Sequence, residues 1–450
     1  MPEKREKRCL AVGLDGVSRG LVSEYMDMGL MPRVKEILSG GFTLHEMDAS
    51  IPDVSSTSWA SFLTGTNPGE HGIYGFMDLK PGAYSMYFPS YSHISAPSIW
   101  DILGGTAGGK KSTLANRYGD RFPDPLRSVV MNVPETYPAA PMNGILTAGF
   151  VCIDLEKGTY PASAYDYLKS IGYRSDVDST KAVSDPDGFF EEVDFVLDRR
   201  VEAFEHFMVE DPWALFIAVI TETDRLHHFF FDAAFDETHK YHGRFINFYK
   251  KLDDIIGTLF ARFHDLTGGE GFFMTMSDHG FTELKKEVYI NTLFQKEGLL
   301  HLDESRDYFE QIKAPTKAFA MEPARIYLNH EGKYPEGAVS SDDVAGVTQA
   351  VKRVLASLTF EGENVIKRIY ENNELYSGQE ADKGPDLVCL ANDGFDLKST
   401  FKKEEVFGNG RFTGMHTRHD AHSILPNRAA PDKRLHIESL AAIILDYFSS

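Results

Sequence analysis

Three separated stretches of this chain carry side chains suited to gripping a metal ion: Asp15, then Asp224 with His228, then Asp278 with His279. A hydroxyl-rich turn around Ser55 lies between the first two, and a histidine cluster begins at His416. Carboxylates and imidazoles converging on one point bind divalent ions. A hydroxyl held beside such ions becomes a nucleophile able to attack phosphorus.

Each stretch has its own local reading. Asp15 follows the apolar run 10–14 and precedes Gly16. At the end of a parallel strand it would face a shared crevice; as a turn residue it would only cap the next helix. Asp224 and His228 stand four apart, which puts both on one face of a helical turn, while His227 points elsewhere as a bystander. Ser277–Asp278–His279–Gly280 closes another apolar run. A buried strand that ends in two ionisable residues calls for pairing or a metal, and Gly280 would permit the tight turn. Of His416, His419 and His422 one is expected to be a ligand, and spacing leaves open which.

Around Ser55, the hydroxyl residues Ser55, Ser56, Thr57 and Ser58 precede Trp59, Phe62 and Leu63, a short helix ended by Gly65. At least one hydroxyl is expected to cap this helix. The same helix start offers free N–H groups and a positive dipole end to an anion.

Those residues need elements to position them. Short apolar runs alternate with longer helical patterns, which predicts βα units around a mostly parallel, doubly wound α/β sheet. Strands are expected over 9–14, 128–133, 214–221, 272–276 and 386–391, and helices over 189–209, 244–263, 342–358 and 435–448. Asn132, Thr136 and Tyr137 follow the second of these strands, either as substrate contacts or as loop packing. The stretch 67–97 is rich in Gly, Pro, Tyr and Ser and reads as a long ordered loop flanking the site. Residues 300–383 interrupt the alternation and are a candidate inserted cap within a single catalytic domain over 1–450.

Composition narrows the function. The 450 residues are 42% hydrophobic and 25% charged, as in ordinary globular proteins. A formal net charge of −21 argues against a nucleic-acid polymer as partner. An acidic enzyme acting on anions needs a local positive source, which bound dications supply. Cys9, Cys152 and Cys389 are odd in number and far apart, so free thiols are expected. No run reaches the ~18 apolar residues of a membrane span, and the basic N-terminus has too short an apolar stretch for a signal peptide. A cytoplasmic, soluble protein is the expectation.

Taken in order, Gly13–Leu14–Asp15–Gly16, the stretch 52–65, Asn67–Pro68–Gly69–Glu70–His71–Gly72–Ile73, the stretch 224–228, Ser277–Asp278–His279–Gly280 and Gly414–Met415–His416 resemble the alkaline phosphatase superfamily. Within it, the type I phosphodiesterase/nucleotide pyrophosphatase family fits best, over nearly the whole chain. The resemblance implies two divalent ions, zinc or else manganese. One would take Asp15, Asp278, His279 and the nucleophile oxygen, and the other Asp224, His228 and His416. It puts the nucleophile at Ser55, serine standing where threonine is common. It puts at Ser58 the Asn that helps hold the phosphoryl oxygen in nucleotide pyrophosphatases, a departure that leaves this work to another donor.

The activity implied is cleavage of a small-molecule phosphodiester or nucleotide pyrophosphate through a covalent phosphoserine. The alternatives are a phosphomonoesterase or phosphonate hydrolase on the same site, or a non-catalytic metal-binding module. Sulfatases and cofactor-independent phosphoglycerate mutases share the core but need motifs that are absent around Ser55.

Overall fold

The computed structural model describes residues 6–429 and 433–450. Nine strands form the central sheet: β1 (Cys9–Leu14), β2 (Phe42–Asp48), β3 (Ser128–Val133), β4 (Gly144–Ala148), β5 (Thr159–Tyr160), β6 (Leu215–Ile220), β7 (Phe272–Met276), β8 (Ala421–Pro426) and β9 (Leu435–His436). Their spatial order is β9-β2-β8-β7-β1-β6-β3-β4-β5. The run β7-β1-β6-β3-β4 is parallel throughout, and β8 and β5 are antiparallel to their neighbours.

Strand sequence explains this arrangement. Every residue of β1, β3, β6 and β7 is buried, as expected for parallel strands covered on both faces. The period of two then divides each strand between two cores. Leu10, Val12 and Leu14 pack with the long helices Pro186–Glu210 and His242–Thr267, while Cys9 and Ala11 pack with the helices Ser55–Thr64 and Ser439–Ser449. The result is a three-layer sandwich, the doubly wound α/β class anticipated from the sequence. Gly13 matters here: a Cβ on it would lie 2.4 Å from the Trp59 ring, so glycine lets the Ser55–Thr64 helix settle onto β1 beside Asp15.

Two expected elements land elsewhere. The strand anticipated over 386–391 forms as Leu387–Ala391, but in a separate four-stranded antiparallel sheet with Ala318–Met321, Arg325–Leu328 and Ile366–Glu371. This second sheet has its own apolar cluster, which includes Phe319, Ile326, Val351, Leu355 and Leu387. The last helix begins only at Ser439, because Leu435 and His436 pair with Met47 and Asp48 as an edge strand. The stretch 67–97 holds a short helix, Pro68–His71, and a two-stranded ribbon of Asp78–Leu79 with Met86–Tyr87. The three cysteines are free, with Cys9 and Cys389 buried. Among the described residues, no helix is long and apolar enough to cross a membrane.

Candidate metal and nucleophile site

The carboxyl ends of β7, β1 and β6 lie side by side, so Asp278 and His279, Asp15, and the turn before Asp224 open on one crevice. Backbone bonds set their aim. Asp15 N donates to Ile220 O at 2.9 Å, and Thr223 Oγ1 donates to Asp15 O at 2.5 Å. Gly16, at φ +67°, turns its N–H to Asp278 Oδ1 at 3.0 Å. The helix Glu222–Phe230 brings His228 Nε2 to 3.4 Å from Asp224 Oδ1.

His416 arrives from far along the chain. Strand Gly414–Thr417 pairs antiparallel with Gly280–Glu283, setting His416 opposite Phe281. A Cβ on Gly280 would come within 2.5 Å of Thr417 Oγ1. Gly280 is therefore needed for the close approach of the two strands, and its φ is not in the left-handed region that a tight turn would use. His416 Nε2 ends 3.3 Å from Asp224 Oδ1 and 3.1 Å from His228 Nε2. The other two histidines of its cluster go elsewhere: His419 Nδ1 meets Asp48 Oδ1 at 3.0 Å, and buried His422 donates from Nδ1 to Val17 O at 3.0 Å. His227 is a satisfied core residue, bonded to Gly16 O and to the Tyr249 hydroxyl.

The helix Ser55–Thr64 is buried along its whole length and ends at Gly65 in the left-handed region. Its N-cap is Val54, and no side chain caps it, which departs from the hydroxyl cap expected. The first intrahelical bond runs from Ser58 N to Val54 O, so the N–H groups of residues 55–57 have no partner within the helix. Ser56 Oγ and Thr57 Oγ1 are buried without a hydrogen-bond partner among the described residues. Ser55 Oγ donates to Asp15 Oδ1 at 3.3 Å and lies 3.1 Å from His279 Nε2. One turn on, Trp59 Nε1 donates to Asp15 Oδ2 at 2.9 Å.

The electrostatics of this crevice are unbalanced. Burial raises the Asp15 carboxyl well above its ordinary range, and Asp278 and Asp224 raise it further. Burial pushes Asp278 up to about 8, with Asp224 adding repulsion. Asp224 moves the other way: burial opposes its ionisation, but His228 and His416 hold it well below the usual carboxylate range. Burial, then His416, lowers His279 to about 4.

A divalent metal fits this donor set. Buried Asp224 Oδ1 and Asp278 Oδ2 have no hydrogen-bond partner among the described residues. Asp15, Asp278 and His279 offer ligand atoms within 4.8 Å of one another, and so do Asp224, His279 and His416. His279 thus stands between the two groups, and His228 joins the second through its short distances to Asp224 and His416. Buried anions this close together are stabilised by a dication.

The structure brings Asp15, Ser55, Asp224, His228, Asp278, His279 and His416 together. Ser58, Asn132, Thr136 and Tyr137 make other contacts. Ser58 is fully buried with its Oγ 2.8 Å from Ser50 Oγ. Asn132, also buried, donates to Val219 O and Thr221 Oγ1, and Thr136 Oγ1 donates back to Val133 O at 2.6 Å. Tyr137 uses its backbone carbonyl to accept from Tyr91 N. Asn132 and Thr136 thus spend these side-chain groups on neighbouring backbone and hydroxyl groups. A cavity of about 290 Å³ opens beside the cluster, its lining including Asp53, Val54, His228, His416, Phe76 and Lys398. Sequence reasoning passed over Trp59, read as a core residue, and Arg225, which sits between two ligand-type residues. Their offsets from Ser55 and Asp224 were the available signal.

A mostly parallel sandwich with buried carboxylates and histidines at its strand ends is the architecture of the alkaline phosphatase superfamily. The chain belongs to the type I phosphodiesterase/nucleotide pyrophosphatase family, whose model matches residues 9–420, and is an enzyme of the phosphoric ester hydrolase class. The family is metal-dependent. Among solved structures, phosphonoacetate hydrolase from Sinorhizobium meliloti 1021 is similar at 15% identity and a TM-score of 0.61, covering 98% of this chain and 96% of that one. Murine ectonucleotide pyrophosphatase/phosphodiesterase 5 is similar at 14% identity and a TM-score of 0.56, covering 98% and 95%. No curated protein matches the chain in sequence.

Proposed function

We propose that this protein hydrolyses phosphodiester bonds, nucleotide pyrophosphates among them, through a covalent phosphoserine at Ser55. The observation that carries the reading is the place of the Ser55 hydroxyl, within 3.3 Å of Asp15 Oδ1 and 3.1 Å of His279 Nε2 at an open helix N-terminus. One divalent ion, zinc or manganese, would be held by Asp15, Asp278, His279 and the Ser55 oxygen, and a second by Asp224, His228 and His416. Such ions, when bound, supply Lewis-acid charge to the attacking and leaving oxygens.

The chain's own groups do the rest. Ser55 Oγ forms the new bond to phosphorus as the bond to the leaving oxygen breaks in line with it. Its hydroxyl proton must leave before attack: Asp15 Oδ1 and His279 Nε2, which the hydroxyl faces, would be engaged as ligands when the ion is bound, so the proton passes to solvent water. Trp59 holds Asp15 by Oδ2 and so keeps Oδ1 turned to Ser55. The free N–H groups of residues 55–57 favour negative charge on the non-bridging oxygens. Water then cleaves the phosphoserine and restores the hydroxyl. The cavity beside the cluster would take the second ester group, with residues 300–383 as a cap that contributes Met321 and Lys367 to its wall.

The test is turnover of bis-p-nitrophenyl phosphate against p-nitrophenyl phosphate by the zinc-loaded protein, with Ser55→Ala as control. The reading expects the diester to be preferred, with activity lost in the variant while bound metal persists. Substantial activity in Ser55→Ala would overturn the nucleophile. A preference for the monoester or for phosphonoacetate would move the reaction to a sister branch.

A further inference from the structure

The lining of the cavity draws on separate parts of the chain. Phe76 and Met77 come from the stretch 67–97, and Met321 and Glu322 come from residues 300–383. One side chain joins these two segments. Arg325, fully buried, opens the strand Arg325–Leu328 of the second sheet. Its Nη2 donates to Met77 O at 2.6 Å and to Glu322 O at 2.5 Å, so a single nitrogen holds a carbonyl from each segment. Nε donates again to Glu322 O at 3.0 Å, and Nη1 donates to Asp78 Oδ1.

Gly75 completes the joint. A Cβ on it would lie 2.5 Å from Arg325 Nη2 and 2.6 Å from Cζ, so the missing side chain lets this backbone lie against the guanidinium. Other contacts dock residues 300–383 on the rest of the protein. Tyr376 Oη donates to Ile51 O at 2.9 Å, and Tyr74 Oη donates to Glu380 O at 2.6 Å. Loss of the Arg325 bonds would therefore loosen the cavity lining without freeing the whole segment.

We infer that Arg325 is a positioning residue that fixes the shape of the cavity and so decides which second ester group the site accepts. The inference rests on the proposed diester hydrolysis at Ser55, in which that group occupies the cavity. A planar guanidinium sends its N–H groups along fixed directions, as an ammonium does not. Two segments bonded to one such plane cannot part independently. Asp78 balances the charge, so Arg325 acts on a substrate through geometry.

The experiment uses the zinc-loaded protein and two diesters that share a p-nitrophenol leaving group. Bis-p-nitrophenyl phosphate carries an aryl second ester group, and methyl p-nitrophenyl phosphate carries a methyl. It measures kcat, KM, bound metal and melting temperature for the wild type, Arg325→Met, Arg325→Lys and Gly75→Ala. In Arg325→Met, the preference for the aryl over the methyl diester in kcat/KM should fall on the order of tenfold, the scale of one misfitting methylene in a pocket. The loss should lie in KM for the aryl diester, with bound metal constant. Arg325→Lys should recover little. Gly75→Ala keeps every donor and should shift the preference the same way.

An unchanged preference in both Arg325→Met and Gly75→Ala would overturn the inference, as would equal losses on the two diesters or losses that track lost metal. If the wild type cleaves neither diester, the functional reading fails. Calorimetric affinities for diphenyl phosphate and dimethyl phosphate then decide the role of Arg325. A loss in the variants confined to diphenyl phosphate supports it, and the lack of such a selective loss overturns it. If Arg325→Met does not fold, Gly75→Ala carries the same test.

Discussion

Glu222 and Asp224 stand two residues apart at the start of one helix, both buried, yet their surroundings differ in kind. Glu222 is matched by Arg200, which is itself fully buried. Nε and Nη2 of Arg200 donate to Glu222 Oε1 at 2.8 and 2.7 Å, Nη2 also donates to Ser175 O, and Nη1 donates to the Tyr173 hydroxyl. Asp224, with Asp15 and Asp278, belongs to a cluster where carboxylates outnumber cations and buried oxygens lack partners. The first set closes on itself and fixes the helix. The second set stays open to a ligand. The difference teaches that burial of charge marks a functional site only where the internal partners run out.

The largest expected effect of breaking this contrast is on the open side. Asp278→Asn should weaken zinc binding by at least ~10²-fold, beyond what loss of an outer orienting group gives. Thermal melting of the metal-free variant should match or exceed that of the wild type, because burial raises the Asp278 carboxyl to about 8 and the cost of keeping it protonated is gone. A clear drop in metal-free stability would mean that Asp278 is as internally satisfied as Glu222.

On the closed side, Arg200→Met should destabilise the fold by about 3–5 kcal/mol, the scale for leaving one partner of a buried pair alone. Denaturant unfolding measures it, and a loss under ~1 kcal/mol would put this pair with weak surface bridges. Trp59→Phe keeps an aromatic ring, removes the bond to Asp15 and leaves a void where the larger indole packed, so metal affinity should fall by roughly tenfold and the fold should lose on the order of 1 kcal/mol.

The smallest effect concerns a third kind of buried carboxyl. Glu135 is buried with Oε2 unpartnered among the described residues, and burial, with Asp78 nearby, pushes it up to about 8. A raised acid is protonated in the fold across a range where the unfolded chain has already ionised. Its contribution is full below about 4.5 and is lost as pH rises through about 8. Between pH 6 and 8.5 it should contribute a fall of about 2 °C in melting temperature, and Glu135→Gln should flatten that fall. An equal slope in the variant would show that Glu135 has a partner in solution.

What the sequence discloses follows from the range of the forces involved. β1, β3 and β7 were legible residue by residue, because a strand buried on both faces is an uninterrupted apolar run. The pairing of Asp224 with His228 was legible because helical spacing alone sets it. β8 was not, since Ala421–Pro426 carries His422 and Ser423 in its middle, and its place depends on pairing with β2 and β7. The choice of His416 over His419 and His422 depends on the pairing of Gly280–Glu283 with Gly414–Thr417, across more than a hundred residues. Ser58, Asn132 and Thr136 show the converse. Residue type marks them as donors, and only the folded chain reveals that Ser50, Val219 and Val133 already engage them, Val219 from 87 residues away.

The central claim is that the open carboxylate cluster is a site for two dications. It is tested most directly by stripping the protein with a chelator, then titrating zinc by calorimetry while following the melting temperature. The account predicts two ions bound per chain, a rise in melting temperature on binding, and loss of at least one ion in Asp278→Asn. A stripped protein that takes up no zinc and melts at the same temperature with and without it would contradict the account.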